Sequence, residues 1–313
     1  MPSIPTVTLL LPACNANLKP MVPSQESLLR FVHVIVAAAI TLSATTEMAL
    51  AGDRLIATSG VSQIEGVAGG GLVPWAVIAG YGTRDQLGLT VFHTNVEIDD
   101  FGLKSSGIAV GLNDKVELSL SRQLFSLGST VPGQSIRQDV IGAKIKLVGD
   151  ALLDQDSWMP QIAVGVQHKR NRDMVVPRAL GARHESGTDF YLSATKLYLA
   201  GLAGRNLLLN ATIRATKANQ LGLLGFGGDK RDRYQLQSET SAAVLLNDRF
   251  AVGVEYRYKP DNLSVFREDD FYDVFAAWFI NKKASLTLAY VHLGQVADKK
   301  NQGGVYLSVQ ISP

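Results

Sequence analysis

Hydrophobic and polar positions alternate with a period of two along most of the chain beyond residue 52. Phe250, Val252, Val254, Tyr256 and Tyr258 share one face of a segment whose other face carries Ala251, Gly253, Glu255 and Arg257. A period of two is that of a β-strand, whose successive side chains point to opposite sides of the sheet. The pattern recurs over 75–81, 87–92, 107–112, 116–121, 141–147, 162–167, 209–216, 239–246, 272–280, 284–290 and 305–311. Over 190–199 it is less regular, because Lys196 falls on the side of Phe190 and Leu192. A β-bulge near Thr195 is expected to restore the phase.

Each segment covers about 8 to 12 residues, long for soluble strands and close to the 9–11 that cross a bilayer at a tilt. The connections also sort by length. Asn113-Asp114, Asn247-Asp248-Arg249 and Asn281-Lys282-Lys283 are tight turns, and between them fall the longer stretches 125–136, 170–187, 218–235, 260–269 and 295–302. Short turns at one end and long loops at the other are the organisation of outer-membrane barrels. The expected fold is therefore all-β, a transmembrane antiparallel up-and-down β-barrel of about 12 to 14 strands. Parity decides within that range. If the segment ending at Tyr81 is a strand, one more crossing must precede it. Residues 55–65 supply that crossing, with 66–71 as the connecting loop and 14 strands; or the Gly-rich segment lies in the lumen as a plug; or one of the weaker segments is no strand and the count is 12.

Before residue 52 the chain changes character. Leu28-Leu29-Arg30 precedes an apolar run from Phe31 to about Leu42, then a polar stretch, then Ala49-Leu50-Ala51. A basic flank, a short apolar run and an Ala-x-Ala site describe a cleaved signal peptide, so 1–51 is assigned to export, with cleavage near Ala51 and Met21 a candidate start. Leu11-Pro12-Ala13-Cys14 lacks the charged flank of a lipoprotein signal. The domain plan is 1–51 signal peptide, 52–71 Gly-rich strand or plug, and 72–313 barrel, in the outer membrane of a Gram-negative cell.

Composition narrows the chemistry. With 30 basic and 28 acidic residues the formal net charge is +2, and no basic block is available to follow a phosphate backbone, which argues against a nucleic-acid partner. The single cysteine, Cys14, precedes the expected cleavage point, leaving no disulfide or thiolate metal site. No Gly-x-Ser-x-Gly or His-Glu-x-x-His occurs. His168 with Ser186 or Asp189 makes a triad on paper only, and no enzyme, cofactor or metal is expected. Gly225-Phe226-Gly227-Gly228-Asp229-Lys230 lacks Walker spacing and reads as a flexible surface loop; Glu268-Asp269-Asp270 reads as a solvated charge cluster.

The inward phase carries the informative charges: Glu117, Lys144, Lys146, Arg214, Glu239, Glu255, Arg257 and Asp273. A Lys or Arg facing lipid at mid-depth costs about 2–4 kcal/mol, so these residues belong in the lumen. Paired across it they knit a closed barrel; separated by water they set the selectivity of a pore. Outward aromatics Trp75, Tyr81, Tyr256, Tyr258, Tyr272 and Tyr290 read as interfacial girdles.

Ser59-Gly60-Val61-Ser62-Gln63-Ile64-Glu65-Gly66, continuing through Gly69-Gly70-Gly71-Leu72-Val73-Pro74-Trp75 and Tyr81-Gly82-Thr83-Arg84-Asp85, resembles a family of uncharacterised proteobacterial outer-membrane barrels, a domain of unknown function. Arg214-Ala215-Thr216-Lys217-Ala218-Asn219-Gln220-Leu221-Gly222 with Gly225-Phe226-Gly227-Gly228-Asp229 resembles the same family. The resemblance implies location and architecture and brings no functional residues. The expected function is a porin-like channel for a small solute with a mixed-charge lumen. The alternatives are a plugged structural or adhesive barrel with functional surface loops, and a lipid-modifying enzyme at the rim. Expected partners are outer-membrane lipids, lipopolysaccharide and the barrel-assembly machinery.

Overall fold

The computed structural model describes residues 53–313. The signal segment, Met21 and Cys14 lie outside the described residues. Twelve antiparallel strands close into a barrel: β1 (Leu87–Ile98), β2 (Gly102–Leu112), β3 (Val116–Ser126), β4 (Ser135–Val148), β5 (Gln161–Asn171), β6 (Ser186–Leu202), β7 (Arg205–Thr216), β8 (Gln235–Asn247), β9 (Phe250–Arg257), β10 (Phe271–Asn281), β11 (Ala284–His292) and β12 (Gly303–Ile311). Every strand pairs with its sequence neighbours, and β12 closes on β1 from Gly304↔Ile98 to Ile311↔Val91. Closure leaves no unpaired edge.

The alternation sets the two faces. Leu118, Leu120, Ile141, Val254, Val274, Leu288 and Leu307 point out and are exposed, whereas Glu117, Ser119, Ser121, Glu255, Asp273 and Ser308 point in and are buried. An apolar exterior around a polar interior is the inverse of a water-soluble fold and suits a lipid surround. At the loop end of β1–β5 the outward row His93, Ser106, Arg122, Asp139, Arg170 adjoins the apolar row Val91, Ile108, Leu120, Ile141. The apolar belt ends between them. Tyr256, Tyr258, Tyr272 and Tyr290 are outward and exposed, Tyr256 meeting Tyr258 edge-on at 4.9 Å and Tyr272 stacking on His292 at 4.7 Å.

Tight turns join β2–β3, β6–β7, β8–β9 and β10–β11 at one end, with long connections mostly at the other. Two connections break the rule: 99–101 is short at the loop end, and 149–160 is long at the turn end. The bulge expected near Thr195 is absent. The β6–β7 ladder runs unbroken from Phe190↔Ala215 to Tyr198↔Leu207. Lys196 keeps its outward phase, and its ammonium donates to Asp154 O and Met159 O of the 149–160 connection. A carbonyl-rich loop neutralises the misplaced polarity without shifting the register.

Residues 75–81 and 55–65 form no barrel strand, which settles the count at twelve. All of 58–82 is buried. Arg54 N–H donates to Tyr81 O at 3.3 Å, and the Gln86 amide donates to Asp53 at 2.6 Å. The segment therefore enters and leaves the lumen at the turn end, as one loop. Trp75 and Tyr81, expected in a girdle, each keep only 5% of their surface. A segment enclosed by a barrel wall on both faces shows the same alternation as a strand facing lipid.

The loop end closes as well. Residues 226–228 pair with 182–184, and Leu221, Leu223, Leu224 and Phe226 are buried. Gln138 and Asn171 of the wall donate to the carbonyls of Leu221 and Leu223 at 3.1 and 2.6 Å. Gly225–Gly228 of the stretch read as a flexible surface loop belong instead to this buried cap, because Phe226 packs inward, whereas Asp229 and Lys230 are exposed. Glu268, read as solvated, is buried on Lys259 at 2.9 Å. Burial pushes Lys259 down and Glu268 up, and each partner's charge opposes that shift.

Candidate functional site: a filled, charged lumen

The plug has almost no regular structure of its own, a two-residue ladder of Val61–Ser62 on Ala68–Gly69 apart. Its backbone must therefore find partners on the wall, since a buried unpaired amide costs roughly 1–3 kcal/mol. Ile64 O accepts from Ser105 at 2.7 Å and Gln123 at 2.9 Å. Glu65 O accepts from Ser121 at 2.9 Å. Pro74 O accepts from Thr212 at 2.8 Å, Ala76 N–H donates to Thr195 at 2.8 Å and Ala76 O accepts from Gln161 at 2.7 Å. Trp75 Nε1–H donates to Ser241 at 2.9 Å. Inward Ser, Thr and Gln that would line a water column thus replace water for the plug.

Glycines give it room. A Cβ on Gly111 would lie 2.2 Å from Ala79 O, and one on Gly70 would lie 2.0 Å from a Glu255 carboxylate oxygen.

Charges form three groups between the barrel's ends. In the first, Lys144 Nζ sits 3.1 Å from Glu117 and donates to Ala68 O and Val77 O at 3.0 and 2.8 Å. Glu117 accepts from the plug amides of Ala68 and Ala79 at 3.1 and 2.8 Å. This wall pair grips both arms of the plug. The second group is centred on Glu65 of the plug. It contacts Lys169 and receives Arg257 at 2.9 Å; Lys169 also meets Asp189 at 2.6 Å. Arg214 spans Glu239 at 2.5 Å and Asp189 at 3.4 Å, with Gln167 at 2.7 Å. Arg257 returns to Glu239 at 3.2 Å and to Leu72 O at 3.1 Å. Three carboxylates and three cations alternate here, and buried ions persist only when paired in this way.

The third group has no cation. Glu255 and Asp273 are a direct cross-strand pair, both almost fully buried. Glu255 accepts from Leu72 N–H at 2.6 Å and Ser241 at 2.7 Å. Neither oxygen of Asp273 meets a donor.

Of the eight residues singled out from sequence, seven belong to these groups. Lys146 lies apart, at the turn-end mouth, where it contacts Asp114 and stands 4.0 Å from Asp150. Arg54 joins the same Asp114 at 2.5 Å, bordering a cavity of about 430 Å³ lined by Asp53, Leu55, Thr58 and Leu153. Glu65, Lys169 and Asp189 were not anticipated as lumen charges. Lys169 and Asp189 lie on the inward phase of β5 and β6, two residues beyond Gln167 and before Tyr191, so extending the alternation would have found them. Nothing in the sequence around Glu65 marks it as the hub. His168 is outward and bonded to Thr188 at 3.0 Å, whereas Asp189 is inward, so the wall separates the members of the paper triad.

A family model described as "Protein of unknown function (DUF3034)" matches residues 58–310. The chain belongs to that family. The family match begins where the plug becomes buried and runs to the last strand, so it takes in plug and barrel together. No curated protein matches the chain in sequence. Among solved structures the chain is similar to the KdgM porin (10% identity, covering 72% of this chain and 99% of that one, TM-score 0.45). It is likewise similar to the NanC porin (9%, 72% and 98%, 0.43) and to the outer membrane protein Omp33 of Acinetobacter baumannii (8%, 73% and 99%, 0.41).

Proposed function

We propose that this family member is an outer-membrane channel for a small solute, closed by its own N-terminal segment. The carrying observation is the way the plug is held. Wall hydroxyls, amides and ion pairs satisfy its backbone, while its only covalent continuation into the barrel is at the turn end, through 83–86. Twelve strands enclose more space than side chains fill, so a barrel emptied of the plug leaves a hydrated lumen. Glu117, Lys144, Arg214, Glu239, Glu255, Arg257 and Asp273 then line it and set its field. Export through a cleaved signal near Ala51, and contact with lipopolysaccharide and the barrel-assembly machinery, accompany this reading.

Planar-bilayer recordings test it. The full chain is expected to be nearly silent, and a variant lacking 53–82 to conduct. Silence in both defeats the channel, and equal conductance in both defeats the plug as gate. The three-by-three ion network supports a second reading, in which the segment is a structural core. Loss of a heat-resistant folded band in the deletion variant would favour it.

A further inference from the structure

Among the described residues, the lumen between its ends buries six carboxylates, Glu65, Glu117, Asp189, Glu239, Glu255 and Asp273, against four cations, Lys144, Lys169, Arg214 and Arg257. Each cation is committed to the first two groups, so the excess falls on Glu255 and Asp273. Their residues are directly paired on adjacent strands, and both carboxyls converge on one plug residue: a Cβ on Gly71 would lie 3.5 Å from an Asp273 oxygen and 3.6 Å from a Glu255 oxygen. Two ionised carboxylates offer only acceptors and repel at close quarters, whereas a proton on one supplies a donor and removes the repulsion.

Among the described residues the surroundings supply no compensating cation. Arg257, two residues along β9, is turned to Glu65, Glu239 and Leu72 O. β8 presents Glu239, which adds negative charge, and Ser241, which already donates to Glu255. β11 places Val291 opposite Asp273, and β12 contributes Tyr306, which packs against Gly71 and whose hydroxyl donates to Ser62 O at 3.4 Å. The plug seals the site with Gly70 and Gly71 and donates Leu72 N–H. A shared proton needs no extra volume, unlike a metal ion.

We propose that the Glu255–Asp273 pair is a proton-operated latch on the plug: closed, it holds one proton between the carboxyls, and opening releases it. The latch rests on the plug reading above. In the closed lumen the unprotonated pair is two uncompensated buried charges packed against the plug backbone at Gly70 and Gly71. Flooding the lumen solvates both carboxylates. With one proton released per opening, the open-to-closed ratio rises at most tenfold per pH unit, and the plug is held more firmly as pH falls. The pair titrates as a unit.

Two measurements on the full-length protein in lipid test this. An infrared band of a protonated carboxyl group should persist at pH 7 and disappear in Asp273→Asn. Conductance should rise with pH in the wild type and stay low and pH-independent in Asp273→Asn, or in Glu255→Gln if the first variant fails to fold. If the 53–82 deletion conducts but the wild type shows no pH response, or Asp273→Asn keeps it, the latch is wrong and the plug reading stands. If the deletion is silent, the channel reading falls. The infrared band then decides alone: its absence overturns the shared proton, and its loss in Asp273→Asn upholds it.

Discussion

Glu65 is the residue through which plug and wall share charge. It contacts Lys169, lies 2.9 Å from Arg257 and is fully buried. Removing one partner of a buried pair leaves a bare charge, which costs about 3–5 kcal/mol. Glu65→Gln is therefore expected to lower unfolding stability in detergent by roughly that amount and to raise protease access to 58–82. A Glu65→Gln variant as resistant as wild type would mean that the network does not hold the plug. Gly70 answers for shape where Glu65 answers for charge. Glu255 is fixed by two hydrogen bonds, so a methyl group 2.0 Å from its oxygen has nowhere to go unless the plug moves. Gly70→Ala should leave the barrel folded on a heat-modifiability gel and increase leak current; an unchanged leak would show that the plug yields without opening.

At the scale of elements, the strands obey an environment rule that a single substitution can probe. Leu288 is central in β11, outward and exposed, and pairs with Ala276 and Leu307. Leu288→Arg should destabilise the barrel by about 2–4 kcal/mol in lipid. The native outward Arg122, beyond the apolar belt, should tolerate Leu with little change, and equal costs at the two sites would contradict the belt. The same two-residue rule made Glu255, Arg257, Glu117 and Lys144 readable as inward from sequence, because lipid tolerates no alternative. It failed at Trp75, Val77, Ala79 and Tyr81 for a physical reason. Alternation reports a strand only when the two sides of a segment meet different solvents, and in the lumen Ala76 and Ile78 are as buried as Val77. The cap at 218–228 was hidden similarly: its glycines read as loop flexibility, whereas they admit a close turn under Phe226. The Glu255–Asp273 pairing depends on register between strands separated by a 13-residue connection, which no local pattern encodes.

At the scale of the molecule, the described residues form a barrel whose wall holds a separate loop of chain, and the two differ in how they are stabilised. The wall's ladder is continuous and its outward apolar belt needs no plug. The plug has little ladder and relies on the wall for its hydrogen bonds. Opening therefore requires displacement of the plug without rupture of a strand, and blocking that displacement should hold the channel shut. Ser62 Oγ and Gln310 reach each other at 2.9 Å across the plug–wall boundary, and the described residues contain no cysteine. Ser62→Cys with Gln310→Cys, joined by a short thiol-reactive cross-linker, should abolish any conductance induced by raising pH. A cleavable linker should restore it on cleavage. The same cross-link should leave heat-modifiability unchanged, since it ties together groups already in contact. Conductance that survives the cross-link would require a path past the seated plug, and the wall contacts of Pro74, Ala76 and Glu65 leave none on the sides they occupy.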